Sequence, residues 1–153
     1  MNKHVLGFIG VLVLFFSIAA SMVGYAVWKA GSEDRSSLAW VQTHLPPLLS
    51  DWSLAQLKQD ASSSYLRELD FRGQMAANFQ RWSQLGKLQQ LSDLQGQSDI
   101  TFPNLPSHKD PVYTASYQAH ARFAKGQADI DVQLRQENGE WKWQAFTLTP
   151  QEK

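Results

Sequence analysis

The chain of 153 residues contains no cysteine, and this absence removes several classes of chemistry at once. Without a thiol there is no disulfide, no thiolate metal site, no cysteine nucleophile and no lipid-bearing cysteine of a bacterial lipoprotein. The chain also lacks an excess of charge, because 14 Lys and Arg residues balance 14 Asp and Glu residues. Nucleic-acid binding requires a basic face. The sequence therefore predicts no nucleic-acid partner.

Sequence motifs of catalysis and metal binding are missing as well. The chain has no nucleophile elbow, no phosphate-binding loop and no zinc motif. His44 and His108 have no second ligand at metal-binding spacing. The sequence thus predicts no cofactor, no metal site and no catalytic residue, and it favours a function other than catalysis.

The strongest feature that is present is an uncharged apolar stretch at residues 5–28. About 20 apolar residues suffice to cross the hydrocarbon core of a bilayer. Tyr25 and Trp28 lie at the end of the stretch, where aromatic rings favour the headgroup layer, and Lys29 follows directly. Residues 1–28 are therefore predicted to form an N-terminal transmembrane anchor.

This segment has two other interpretations. Small residues from Ser17 to Ser21 could form the cleavage site of a secretory signal peptide, but the apolar stretch continues beyond them. A type IV pilin segment beginning at Phe8 would need a glutamate where Leu12 stands. Since only a few residues precede the stretch, we expect the domain to be translocated. The predicted location is the inner membrane, single-pass, with the domain on the periplasmic side.

The rest of the chain divides into a linker, one domain and a tail. Residues 29–37 are small and polar, which predicts a flexible linker between the bilayer and the domain. Residues 38–149 are long enough for one hydrophobic core and too short for two. Residues 150–153 follow as a tail.

Three helices are predicted in the first half of the domain. The first begins at Ser37, which is suited to capping, and ends at the pair Pro46-Pro47. The second covers residues 53–60. The third is predicted to be the long central helix, because apolar residues recur on one face in steps of four, four, three and three. These residues are Phe71, Met75, Phe79, Trp82 and Leu85.

The second half alternates apolar and polar residues with a period of two, which predicts β-strands. A short first strand is predicted at Ile100 and Phe102. The next two strands meet at the turn Lys125-Gly126. Their predicted buried residues are Tyr113, Ala115, Tyr117, Ala119, Ala121 and Phe123 on the first, and Ala128, Ile130, Val132 and Leu134 on the second.

The last strand follows Asn138-Gly139, which is a strong signal for a type I′ hairpin turn. Its apolar residues change phase between Trp143 and Phe146, so a bulge is predicted near Gln144 and Ala145. The predicted fold class is therefore α+β: a transmembrane helix, three helices and a four-stranded antiparallel sheet. The apolar sheet face is expected to curve around the third helix, since each surface must bury the other.

The stretch from Tyr117 to Leu148 resembles the cystatin-like, cone-shaped α+β superfamily, which includes the nuclear transport factor and ketosteroid isomerase folds. The resemblance rests on the turn at Phe123-Ala124-Lys125-Gly126, the turn at Asn138-Gly139 and the final Trp141 to Phe146. It implies this fold over residues 34–149 and a membrane-anchored or secreted envelope protein. It implies no catalytic residue, because no matching tyrosine and aspartate pair is found.

One polar surface could carry a binding function. If the second and third strands pair across Gly126, a histidine, two carboxylates, two guanidinium groups and an amide share one sheet face. These residues are Gln118, His120, Arg122, Asp129, Asp131 and Arg135. The alternative is a solvated sheet face with cross-strand ion pairs, each contributing ~0.2–1 kcal/mol.

The function that this sequence favours is a membrane-tethered, non-catalytic binding or assembly module of the bacterial cell envelope. By resemblance, its analogues are single-pass assembly factors of type IV secretion systems. Its predicted partners are the membrane, through residues 5–28, and an envelope protein. Trp40 lies off the apolar stripe of its helix, which predicts either an aromatic residue outside the core or partial burial against the linker or the membrane. The alternative is a small-ligand carrier or pocket enzyme that uses an apolar cavity between the long helix and the sheet.

Overall fold

The computed structural model describes residues 31–101 and 111–151. The predicted anchor at residues 1–28 lies outside these ranges, as do Phe102 and the end of the predicted tail. Among the described residues, no helix has both the length and the apolar character needed to cross a membrane.

The described residues form an α+β fold with a four-stranded antiparallel sheet, as predicted for the domain, and they contain four α-helices where three were predicted. The helices are α1 (31–51), α2 (Leu54–Gln59), α3 (Ser63–Arg72) and α4 (Gln74–Trp82), followed by a 3-10 turn at Ser83–Leu85. The strands are β1 (Leu88–Thr101), β2 (Val112–Phe123), β3 (Gln127–Glu137) and β4 (Glu140–Pro150). They lie in the order β1-β2-β3-β4, which is a simple meander.

The long central helix is α1, and the prediction that the third helix fills this role was wrong. The prediction that the first helix ends at Pro46-Pro47 was also wrong, since α1 continues through both prolines to residue 51. A proline inside a helix costs about 3 kcal/mol. Burial offsets this cost, because a fully buried leucine contributes roughly 1.5–3 kcal/mol. The apolar stripe of α1 is completely buried and consists of Val41, Leu45, Leu48 and Leu49.

Residues 31–37 of the stretch predicted as a flexible linker are instead part of α1, and they are bonded to the sheet. Four of its residues, here called the polar clasp, each contact a different strand. They are Glu33, Asp34, Ser36 and Ser37. Ser37 is not a helix cap, because it lies inside α1 with none of its surface exposed. Small polar residues can thus bury their side chains when the sheet supplies hydrogen-bond partners.

The helical stripe predicted over residues 71–85 is divided at Gly73. Gly73 has a left-handed backbone with φ of 61°, which ends α3 and starts α4 in a new direction. The break turns Phe71 outward, where it is 92% exposed, whereas Phe79 and Trp82 stay buried. The sequence analysis missed α3, whose N-cap Ser62 accepts a hydrogen bond from the backbone N–H of Tyr65.

The sheet confirms most of the predicted strand pattern. The alternating residues of β2 and β3 are buried on one face and exposed on the other. The turn residues Asn138 and Gly139 both have positive φ, at 53° and 82°, as a type I′ turn requires. The register of β3 and β4 shifts by one residue at Gln144, which is the predicted bulge. The first strand is much longer than predicted, because β1 begins at Leu88.

Aromatic rings fill the space between the helices and the sheet. Phe79, Trp82 and Phe146 form a triangle with ring centroids 5.7–5.9 Å apart. Trp40, predicted to lie outside the core, packs edge-on against Trp143 at 4.6 Å. Trp143 is 1% exposed. The helices therefore cover one face of the sheet, and the outward-facing residues of β2 and β3 remain open to solvent.

Candidate functional site

Four of the six predicted site residues meet on the open face of the sheet. The register of β2 and β3 pairs His120 with Asp129 and Gln118 with Asp131. Residues directly opposite each other on antiparallel strands have Cβ atoms only about 4.5–5.5 Å apart. The predicted pairing across Gly126 is thus confirmed, and it forms two cross-strand polar pairs side by side.

His120 is held by an acceptor at each ring nitrogen. Its Nδ1 lies 3.0 Å from Asp129 Oδ1 and its Nε2 lies 3.2 Å from Gln127 Oε1. Both partner atoms are oxygens, so this geometry is satisfied best when both ring nitrogens carry a proton. The hydrogen bond to Asp129 accordingly raises the pKa of His120 above its ordinary value.

Asp129 is a carboxylate of this group that accepts two side-chain hydrogen bonds. It accepts hydrogen bonds from Gln151 Nε2 at 3.0 Å and from His120. These two bonds, the one from Gln151 first, lower the pKa of Asp129. Asp131 accepts a hydrogen bond from Gln118 Nε2 at 2.8 Å. The pairs are exposed, so each contributes little to stability, but together they fix the side chains in one arrangement.

The sequence analysis missed two residues of this surface, Asp93 and Gln95 on β1. The register of β1 and β2 shifts between Ser92 and Gln95, so Asp93 and Leu94 both oppose a single residue of β2. Asp93 has φ of 53°, and a bulge of this kind redirects a side chain. The negative charge of Asp93 contributes to the raised pKa of His120. Apolar and polar residues do not alternate regularly in β1, so the sequence pattern did not indicate this bulge.

Together these residues line a shallow depression of about 420 Å³ on the open sheet face. Ala119 and Ile130 also line it, although their side chains are buried on the other face of the sheet. We call it the sheet-face depression, and its polar residues are Asp93, Gln95, Gln118, His120, Asp129 and Asp131. With three carboxylates and one imidazole, its net charge is negative in either protonation state of His120. Such a surface is suited to cationic groups and to hydrogen-bond donors.

Two predicted site residues do not belong to this depression. Arg135 is paired with Thr114, four residues along β3 from Asp131, which is about 13 Å. Arg122 lines a separate depression of about 670 Å³ around the turn of Lys125 and Gly126. Distance along β3 therefore separates Arg135 from the carboxylates, whereas Arg122 is two residues from His120 on the same face of β2 and is paired with Gln127.

Other features of the described residues offer less chemistry. No group of three or more His, Asp or Glu side chains within residues 31–101 and 111–151 could hold a metal ion. A groove of about 210 Å³ lies between α3, α4 and β4 and is lined by Tyr65, Leu69, Met75 and Trp82. Ligand pockets for drug-sized molecules usually measure about 300–1,000 Å³.

This chain was compared with protein-family models, with curated proteins and with solved structures. No protein-family model, curated protein or solved structure matches this chain.

Proposed function

We propose that this protein is a membrane-tethered, non-catalytic binding or assembly module of the bacterial cell envelope. In this proposal, residues 5–28 cross the inner membrane once and the α+β domain lies in the periplasm. The sheet-face depression binds a protein partner through a cationic or donor-rich segment.

The observation that carries the proposal is the asymmetry of the sheet. The helices of the described residues pack on the face where alternate residues of β2 and β3 are buried, while most residues on the other face of these strands are exposed. On this open face, hydrogen bonds hold Gln118, His120, Asp129 and Asp131 in place before any partner arrives. Preorganised polar groups lower the entropic cost of binding. Complementary charge favours a basic partner and rejects an acidic one.

The same contacts argue against catalysis by His120. A general base needs a free ring nitrogen within hydrogen-bond reach of its substrate. Both nitrogens of His120 are engaged, by Asp129 and by Gln127. The hydrogen bond to Asp129 also raises the pKa of the imidazole, which favours the form that has no free lone pair.

The alternative function, a small-ligand carrier or pocket enzyme, has weaker support. It requires a cavity between the central helix and the sheet. The residues that would line such a cavity, including Phe79, Trp143 and Phe146, are buried against one another with ring centroids 5.9–6.5 Å apart. The nearby groove of about 210 Å³ is smaller than a usual ligand pocket.

Membership in the cystatin-like superfamily is part of the proposal. A four-stranded antiparallel meander that packs one face on a long helix supports it. Here the helix is α1, which precedes the sheet. The fold alone implies no activity.

The partner surface can be tested by site-specific photo-crosslinking of the full chain in bacterial cells. A photoreactive residue at Gln95 lies in the depression, and one at Gln133 lies outside it on the same face. We expect a discrete adduct from Gln95 that disappears in Asp129→Lys/Asp131→Lys. Gln133→Lys adds a positive charge to the same strand and should leave this adduct unchanged.

Two crosslinking results would contradict this proposal. Equal adducts from both positions, or an adduct that survives the charge reversal, would refute the proposed surface. The anchor is tested separately by intact-mass analysis of membrane-extracted protein, where a mature chain beginning near Ala20 or Met22 would contradict an uncleaved anchor.

A further inference from the structure

The polar clasp contains the most informative side chains outside the sheet-face depression. Its residues were predicted to form a linker, yet each of them bonds to a different strand. Asp34 Oδ1 accepts hydrogen bonds from both the backbone N–H and the hydroxyl of Ser98 on β1, each at 2.6 Å. Ser37 Oγ lies 2.8 Å from the Tyr117 hydroxyl on β2.

The other two members of the clasp bond to the remaining strands. Glu33 Oε2 accepts from Gln136 Nε2 on β3 at 3.2 Å, and Ser36 Oγ accepts from Trp141 Nε1 on β4 at 2.9 Å. Glu33 is only 5% exposed. A buried carboxylate that lost its partners would be costly. The beginning of α1 is therefore an integral part of the domain and not a tether.

This arrangement sets a short distance between the apolar stretch and the folded domain. A free linker over residues 29–37 could extend to roughly 30 Å, at 3.3–3.6 Å per residue. Because α1 is already helical at Gly31, only Lys29 and Ala30 separate it from Trp28. Three residue steps span at most about 11 Å.

The clasp also fixes which end of the domain is near that stretch. The residues that bind the clasp lie toward the end of the sheet formed by Thr101, Val112 and the hairpin Asn138-Gly139. At the other end of α1, Trp52 packs against Phe123, with ring centroids 5.3 Å apart. We call these the clasp end and the far end of the domain.

We infer that the domain is seated on the lipid surface at its clasp end, in one orientation, and does not swing on a tether. This inference rests on the proposed function, because it requires residues 5–28 to be embedded in a bilayer. Its consequence is that the sheet-face depression is raised above the membrane. His120 lies eight residues along β2 from Val112, which is about 26 Å toward the far end.

The absence of cysteine makes this orientation directly measurable, since single cysteines can be labelled without background. We would place a fluorophore at the clasp end in Glu140→Cys and at the far end in Lys125→Cys; both residues are exposed. The full chain is reconstituted in vesicles of phosphatidylcholine and phosphatidylglycerol that carry an energy-transfer acceptor on the headgroups. We expect several-fold stronger quenching of the label at position 140 than of the label at position 125.

The matched control inserts twelve Gly and Ser residues between Ala30 and Gly31, which leaves the clasp intact and supplies a real tether. This insertion should largely abolish the difference between the two labels. Vesicle flotation separates the possible failures. Protein that floats and shows equal quenching of both labels without the insertion would overturn the seated orientation alone. Protein that does not float would overturn the membrane anchor, and this inference with it.

Discussion

Replacing Trp143 with alanine tests the packing of the core most directly. The side chain is 1% exposed and lies against Trp40 at 4.6 Å and Phe146 at 6.5 Å between ring centroids. A buried tryptophan removes about 150–250 Å² from water, which at ~25 cal/mol per Å² corresponds to roughly 4–6 kcal/mol. Measured truncations of this kind cost about 3–5 kcal/mol.

The backbone bonds of this residue should survive the substitution. The Trp143 N–H donates to the Asp60 carbonyl and its own carbonyl accepts from the Ser62 N–H, both at 2.8 Å. The loss therefore comes from the ring alone. Since small domains unfold with about 5–15 kcal/mol, Trp143→Ala should remove a large share of the stability.

The assay is urea and thermal unfolding of the full chain in mild detergent, followed by far-ultraviolet circular dichroism. A loss of this size should lower the Tm by roughly 10–20 °C. The matched control is Phe71→Ala, because Phe71 is 92% exposed and its removal should change stability by no more than about 0.5 kcal/mol. An unchanged midpoint for Trp143→Ala, or an equal loss for Phe71→Ala, would refute this account of the core.

Three further predictions concern the clasp, the sheet and the depression. Ser37→Ala should destabilise the domain by about 1 kcal/mol in urea unfolding, because it removes the buried hydrogen bond to the Tyr117 hydroxyl and leaves only the longer bond of that hydroxyl to the Asp34 carbonyl; Arg35→Ala, at an exposed position of the same helix, should not. Gly96→Ala should disrupt the pairing of β1 and β2, since an added Cβ would overlap the Ser116 carbonyl oxygen; faster amide exchange in β1 is the readout, and unchanged exchange would contradict the close approach. In NMR titration the pKa of His120 should exceed its ordinary value of about 6.5, and Asp129→Asn should lower it, whereas Asp51→Asn should not. The contribution of His120 to stability is fully present below its unfolded-state pKa and is lost as pH rises through its raised folded-state pKa. The contribution of Asp129 is present above its unfolded-state pKa and is lost as pH falls through its lowered folded-state pKa.

The sequence by itself determined strands β2, β3 and β4 of the sheet. Strand alternation with a period of two assigns each residue of β2 and β3 to one face, and Asn138-Gly139 permits the positive φ of the hairpin. These signals are local, so they could be found without a tertiary structure. The bulge at Gln144 was predictable for the same reason, because a change of phase in the apolar pattern requires one extra residue.

The helical half was predicted less well because its signals depend on packing. Ser62 before the apolar Tyr65 and Leu69 is a capping signal that could have identified α3. By contrast, nothing local shows that α1 continues through Pro46, since the compensation comes from leucines buried against the sheet. Nothing local places Phe71 outside the core either, because the change of direction occurs at Gly73.

The candidate site follows the same division. The sequence predicted that Gln118, His120, Asp129 and Asp131 share one face of the sheet, because strand pairing across a short turn fixes their register. Only the tertiary structure places Asp93 beside them, through a bulge in the part of β1 that the sequence did not predict, and separates Arg135 from them by distance along the sheet. Likewise, only the tertiary structure shows that the polar clasp within residues 33–37 is bonded to the sheet and is not a linker. Its hydrogen-bond partners lie more than sixty positions away in the chain, and a local pattern cannot encode a partner at that separation.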